Sequence, residues 1–183
     1  MSMSRLYDLA FSNHAIIMQR RKMGKTLVVY YSAQGHTKRV AEIAARQLGA
    51  DIYEITPAEI YSEEDLDWTD NNSRASRENT DESLRDIALV PINIQNWTDY
   101  DTVILGYPIW WGIAAWPTNS FIKQVDFSGK KVIPFCTSHT SGVGKSDELL
   151  KNDASGGDWT KCHRFFQDAN ENDIKDWIQK IAI

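Results

Sequence analysis

Residues 26–32 (TLVVYYS) form an unbroken apolar and β-branched run, the pattern of a short strand buried on both faces. Over 37–48 the period becomes helical: Val40, Ile43, Ala44 and Leu48 share one face, and Gly49 is a stop signal. Residues 50–56 (ADIYEIT) return to strand alternation, with Ile52 and Ile55 enclosing Tyr53 and Pro57 closing the segment. Further buried strands are predicted at 101–107 (DTVILGY) and 131–138 (KVIPFCTS), and a weaker, edge-like one at 160–166 (TKCHRFF). Helices are predicted at 118–125, with Phe121, Ile122 and Val125 on one side, and as a short turn at 146–151. A last helix, at 171–181, carries Ile174, Trp177, Ile178 and Ile181, with Asn170 as its cap.

Five strands alternating with helices specify an α/β fold with a parallel sheet and right-handed crossovers. The loops that follow the strands then gather along one edge, where ligands of open parallel sheets bind. Residues 58–96, rich in Asp, Glu, Asn and Ser, break the rhythm and are read as a helix-containing excursion folding over that edge.

A length of 183 residues with 42% apolar and 25% charged composition fits one domain, read as 23–183, preceded by an N-terminal extension at 1–22 of uncertain status. A net charge of -5 argues against nucleic acid or anionic lipid as a partner. No apolar run is long enough to span a bilayer, and residues 1–22 lack the apolar core of a signal peptide, so a cytoplasmic location is expected. Cys136 and Cys162 form no C-x-x-C pair; both are expected to be reduced and buried, with no metal site.

Three loops at the ligand edge carry the chemistry. The first, Ser32-Ala33-Gln34-Gly35-His36-Thr37, opens directly into a helix, so free N–H groups, the dipole and two hydroxyls can cradle an anion. It contains no Lys or Arg, which favours a phosphomonoester over a triphosphate; an ordinary capped turn is the competing reading. The second, Pro108-Ile109-Trp110-Trp111-Gly112, puts adjacent indoles at the edge, partners for a flat heteroaromatic ring unless they fill the core beneath. The third spans residues 137–146 and includes Ser138, His139, Thr140, Ser141, Gly142 and Gly144. It falls short of a P-loop because His139 stands where the first glycine is required, and no G-x-G-x-x-G occurs in the chain.

With Tyr30-Tyr31-Ser32 through Thr37, Gly106 through Gly112, Ile133 through Ser138, and Ser141-Gly142 in order, the chain resembles the flavodoxin-like family, in the branch with a Y-P-I-W-W-G loop. The resemblance implies a three-layer sandwich around a five-stranded parallel sheet in the order 2-1-3-4-5, with FMN at the switch point, an arrangement for which flavodoxin is the standard example. It further implies that Ser32, Gln34, Gly35, His36 and Thr37 hold the FMN phosphate. Pro108, Ile109, Trp110, Trp111 and Gly112, with Ser138, His139, Thr140 and Gly142, would flank the isoalloxazine. This chain has Gln34 where the familiar turn has Thr. The segment Asp67-Trp68-Thr69 with Ser73-Arg74 also looks like a feature of the branch; by default Arg74 reads as a solvated charge.

Electron transfer through the flavin, with a redox partner protein or an NAD(P)H-linked reductase as donor, is the expected function of a monomer or homodimer. No catalytic residue is required. The alternatives are an NAD(P)H-dependent FMN oxidoreductase acting on quinone-like acceptors, with His36 or His139 as acid, and a flavin-free binding module on the same fold.

Overall fold

The protein is described from a computed structural model covering residues 24–181; the expectations for residues 1–22 and Met23 lie outside the described residues. Strand β1 (Lys25–Tyr30) lies at the heart of the sheet because Leu27, Val28, Val29 and Tyr30 are all buried. It pairs in parallel with β2 (Asp51–Glu54) on one side and β3 (Tyr100–Trp110) on the other. β2 is the outer strand, with Ile52 exposed.

Beyond β3 lies β5 (Lys131–Ser138), after a short β4 (Ile113–Ala114) that folds back antiparallel onto the end of β3. The opposite edge is one interrupted strand: β6 (Asp158–Trp159) pairs with Lys131 and Val132, and β7 (His163–Phe166) pairs with Phe135 to Ser138. The order is β2-β1-β3-β5-β6, with β7 continuing the β6 edge; with the hairpin strand β4 set aside, this is the expected 2-1-3-4-5 with its fifth strand broken. The predicted strand at 160–166 is corrected to these two pieces. The gap falls opposite Ile133-Pro134, where proline has no N–H to give, and the Cys162 N–H turns away to Asp147 Oδ2 at 3.3 Å.

Helix α1 (His36–Leu48) and the last helix, α5 (Glu171–Ile181), cover one face of the sheet. Val40, Ile43 and Ala44 meet Ile174, Trp177 and Ile178 over Val28, Ile104 and Phe135. Between them come α2 (Arg74–Thr80), α3 (Trp116–Ile122) and α4 (Ser146–Asp153). Phe121 and Ile122 of α3 and Leu150 of α4 pack the opposite face with Val29, Val103, Leu105 and Tyr107. Helix α3 starts earlier than the predicted 118–125, because Pro117 in its first turn presets the helical φ, and it ends before Val125. The cap at α5 is as expected: Asn170 Oδ1 accepts from the Asp173 N–H at 3.0 Å. Cys136 is buried as expected, but Cys162 is only half-buried; both are free thiols.

Candidate functional site

The three loops converge on one cavity of about 690 Å³ at the C-terminal end of the strands, a size suited to a cofactor. At one end, α1 begins at Gly35, whose φ of 85° lies in the left-handed region and turns the chain sharply from strand to helix. No side chain caps this helix and its first turn holds no acidic residue, so the amide dipoles face the cavity without competition. Ser32 Oγ is buried there with no hydrogen-bond partner. Gln34 and His36 line the same end, with Thr37 beneath them. Thr37 Oγ1 is 2.7 Å from Thr137 Oγ1, which ties the first loop to the strand under the third.

The second loop is tighter than the sequence implies. Strand β3 runs on through Pro108 and Ile109 to Trp110, which pairs with Ile113, leaving Trp111 and Gly112 as a two-residue hairpin turn. Their φ values of 46° and 80° are both positive, as a type I′ turn requires. Glycine takes this conformation freely, whereas for tryptophan it is strained.

The adjacent indoles play different parts. Trp110 is half-buried and clamped edge-on by Tyr31, Tyr61 and Trp116 at centroid distances of 5.9, 5.2 and 5.7 Å. Trp111 stacks on Trp116 at 6.2 Å and 14°, with 44% of its surface exposed at the cavity.

Ser138, His139, Thr140 and Ser141 form the wall contributed by the third loop. The Ser138 hydroxyl is committed, donating to Ser141 O and accepting from Arg164 Nε at 2.7 Å. Gly144, with a φ of 57°, lies so close to the Gly112 carbonyl that a Cβ would collide with it, and the Lys145 N–H donates to that carbonyl at 3.0 Å. The glycine that looked like a remnant of a P-loop is thus the joint between the second and third loops.

Among the sequence-predicted residues, Gly35, Gly112 and Gly142 stand outside the cavity lining, the first two as turn formers, while the others line it. The excursion folds over this edge as expected and supplies a fourth wall, Leu66, Trp68 and Ala75, joined by Gln167 after β7; the sequence reading singles out Trp68 without a role and names none of the other three. The excursion is closed at its base by the Pro57–Leu89 bridge and contains α2 and a 3-10 turn at Glu82–Leu84.

Arg74 is not a solvated charge. Its Nε is 2.8 Å from Glu78 Oε1, with the two side chains 15% and 6% exposed, its Nη1 donates to Glu59 O, and its guanidinium lies over the Tyr61 ring. Tyr61 in turn donates to Glu78 Oε2 at 2.6 Å, and burial raises its phenol well above the usual range, keeping it neutral. This buried network fixes the excursion against Trp110; Trp68, 74% exposed, stands at the cavity mouth. The Asp-Trp-Thr and Ser-Arg signals in the sequence marked both features without revealing their contacts.

Among the described residues no helix is long and apolar enough to cross a membrane, and no group of side chains is arranged to hold a metal ion.

The structure is similar to two solved candidate flavoproteins. One, from Bacteroides uniformis, is 40% identical, with 85% of this chain and 98% of that one covered and a TM-score of 0.77. The other, from Bacteroides eggerthii, is 38% identical, with 87% and 98% covered and a TM-score of 0.76. A flavoprotein of Lactobacillus acidophilus, solved in complex with FMN, shares the fold at 23% identity, with 84% and 98% covered and a TM-score of 0.58. No curated protein matches the chain. The family model described as Flavodoxin matches residues 25–181, nearly all of the described structure, and the chain therefore belongs to the flavodoxin family.

Proposed function

We propose that this protein binds FMN non-covalently and carries electrons through it. The observation that carries the reading is the pairing, in one cavity, of an unpartnered buried Ser32 Oγ beside an uncapped helix start with an exposed indole face on Trp111. The first end supplies hydroxyl and amide donors for a phosphate; the second offers a flat apolar surface for a ring system. Strain at Trp111 fits this use, because a bulky residue is retained at a positive φ where glycine would be relaxed. The FMN complex of the Lactobacillus acidophilus relative supports the same cofactor.

In this reading Ser32, Gln34, His36 and Thr37, with the first amides of α1, hold the phosphate. Trp111 stacks on the ring, and Ser138, His139 and Thr140 form its other border. Bound FMN supplies the redox chemistry, one electron or two at a time. The chain orients the cofactor and excludes water from one face: Trp110, clamped by Tyr31 and Tyr61, keeps the floor rigid, and the excursion carrying Trp68 limits access. No acid or base is needed, and a redox protein, docking at the exposed rim in a cytoplasmic setting, is the expected partner.

The visible absorption spectrum before and after adding FMN, with excess removed by gel filtration, tests the cofactor. Retained flavin bands are expected; a colourless protein that rejects FMN would leave a flavin-free module. Sustained NADPH turnover with a quinone would replace the carrier by an oxidoreductase.

A further inference from the structure

Arg164, on β7, stands behind the third loop with its charge directed into it. Nε donates to Ser138 Oγ at 2.7 Å and Nη2 to His139 O at 3.4 Å, and both of those residues line the cavity. The guanidinium lies 3.9 Å above the ring of Phe166, itself 56% exposed, which holds the plane of the cation. Among the described residues no carboxylate comes within ion-pair distance of Arg164, so it has no direct counter-ion beside the cofactor cavity, Asp168 and Asp173 lining the same surface hollow beyond that distance. A structural tether for Ser138 would not need a charge. Asparagine or glutamine could make the same bond without the cost of holding a cation there.

Two-electron, one-proton reduction of FMN adds one negative charge to the ring. We infer that Arg164 is a positioning residue whose charge, delivered across the Ser138–His139 turn, shifts the site's preference towards reduced FMN relative to the same site without that charge. The inference rests on the FMN reading above. A unit charge one loop away changes the affinity for an anion by about tenfold in a medium of intermediate dielectric.

The test is the affinity of the whole chain for oxidised FMN and, anaerobically, for dithionite-reduced FMN, in wild type, Arg164→Gln, Arg164→Met and Arg164→Lys. Both neutral variants should weaken the reduced complex about tenfold more than the oxidised one, lowering the two-electron midpoint potential by about 30 mV. Arg164→Lys should restore the wild-type ratio within about threefold. Glutamine and methionine differ in shape and in their bond to Ser138, so agreement between them isolates the charge, and either one that folds suffices. Equal weakening of both complexes, or a lysine variant that behaves like the neutral ones, would reduce Arg164 to a tether and overturn the inference. A wild-type chain that binds neither form of FMN would instead remove the reading on which it rests.

Discussion

The two ends of the cavity are built in opposite ways. The phosphate end comes from six consecutive residues, Ser32 to Thr37, shaped by one left-handed glycine and the start of α1. The ring end is assembled from Leu66, Trp68 and Ala75, residues 108–111 and 137–141, and Gln167, and its parts touch only because the Arg74–Glu78–Tyr61 network and the Gly144–Gly112 contact draw them together. A site made of local backbone is insensitive to most distant substitutions, whereas one made of long-range contacts couples ligand binding to the stability of the fold.

The largest effect should therefore come from the floor of the ring end. Trp110→Ala removes an indole packed against Tyr31, Tyr61 and Trp116 and should cost about 3 kcal/mol of stability in chemical denaturation, with FMN affinity falling alongside. Gly144→Ala comes next. The added Cβ meets the Gly112 carbonyl and the backbone stays left-handed, so a loss of about 1–3 kcal/mol is expected, again with weaker FMN binding. Unchanged stability in either variant would break the contrast between the ends.

Trp111→Ala sharpens it from the other side. One face of this indole is free, so FMN binding should weaken by about 1–2 kcal/mol while the denaturation midpoint barely moves. At the phosphate end, Ser32→Ala should weaken FMN by about 1 kcal/mol, leave riboflavin binding unchanged and not destabilise the apoprotein, since its hydroxyl has no internal partner to lose.

The smallest effect lies away from the cavity. His163 stacks on Trp177 at 5.6 Å, and burial, helped by Lys180, lowers its pKa from the ordinary 6.5. As the pH falls through about 6.5, the unfolded chain takes up this proton before the folded protein does, so the imidazole lowers folding stability on the acid side and not above neutrality. His163→Phe should gain on wild type between about pH 7.5 and about pH 5.5 in parallel denaturation curves. A constant difference across that range would contradict the account.

Much of this was legible in the sequence where the signal was local. The run at Val28 and Val29 marked the buried centre of the sheet, the residues behind Asn170 marked α5, and the Ser32–Thr37 turn announced its own chemistry. Where meaning depended on a distant partner, the sequence was mute. Trp110 and Trp111 look alike on paper, and only Tyr31, Tyr61 and Trp116 distinguish the floor from the stacking face. Arg74 reads as a surface charge until Glu78 and Tyr61 fold around it, and Gly144 has no visible purpose without Gly112. The break between β6 and β7 was legible in principle, since Pro134 stands in the neighbouring strand, but the register that brings it opposite the gap is a tertiary property.

The central claim is that one ligand spans both ends, its phosphate at the uncapped start of α1 and its flavin ring against Trp111. Calorimetric titration of the apoprotein with FMN and with riboflavin, which lacks only the phosphate, tests it most directly. Several hydrogen bonds to a charged phosphate should make FMN the tighter ligand by at least about 100-fold. Equal affinities would show that the Ser32–Thr37 turn holds no phosphate and would contradict the account.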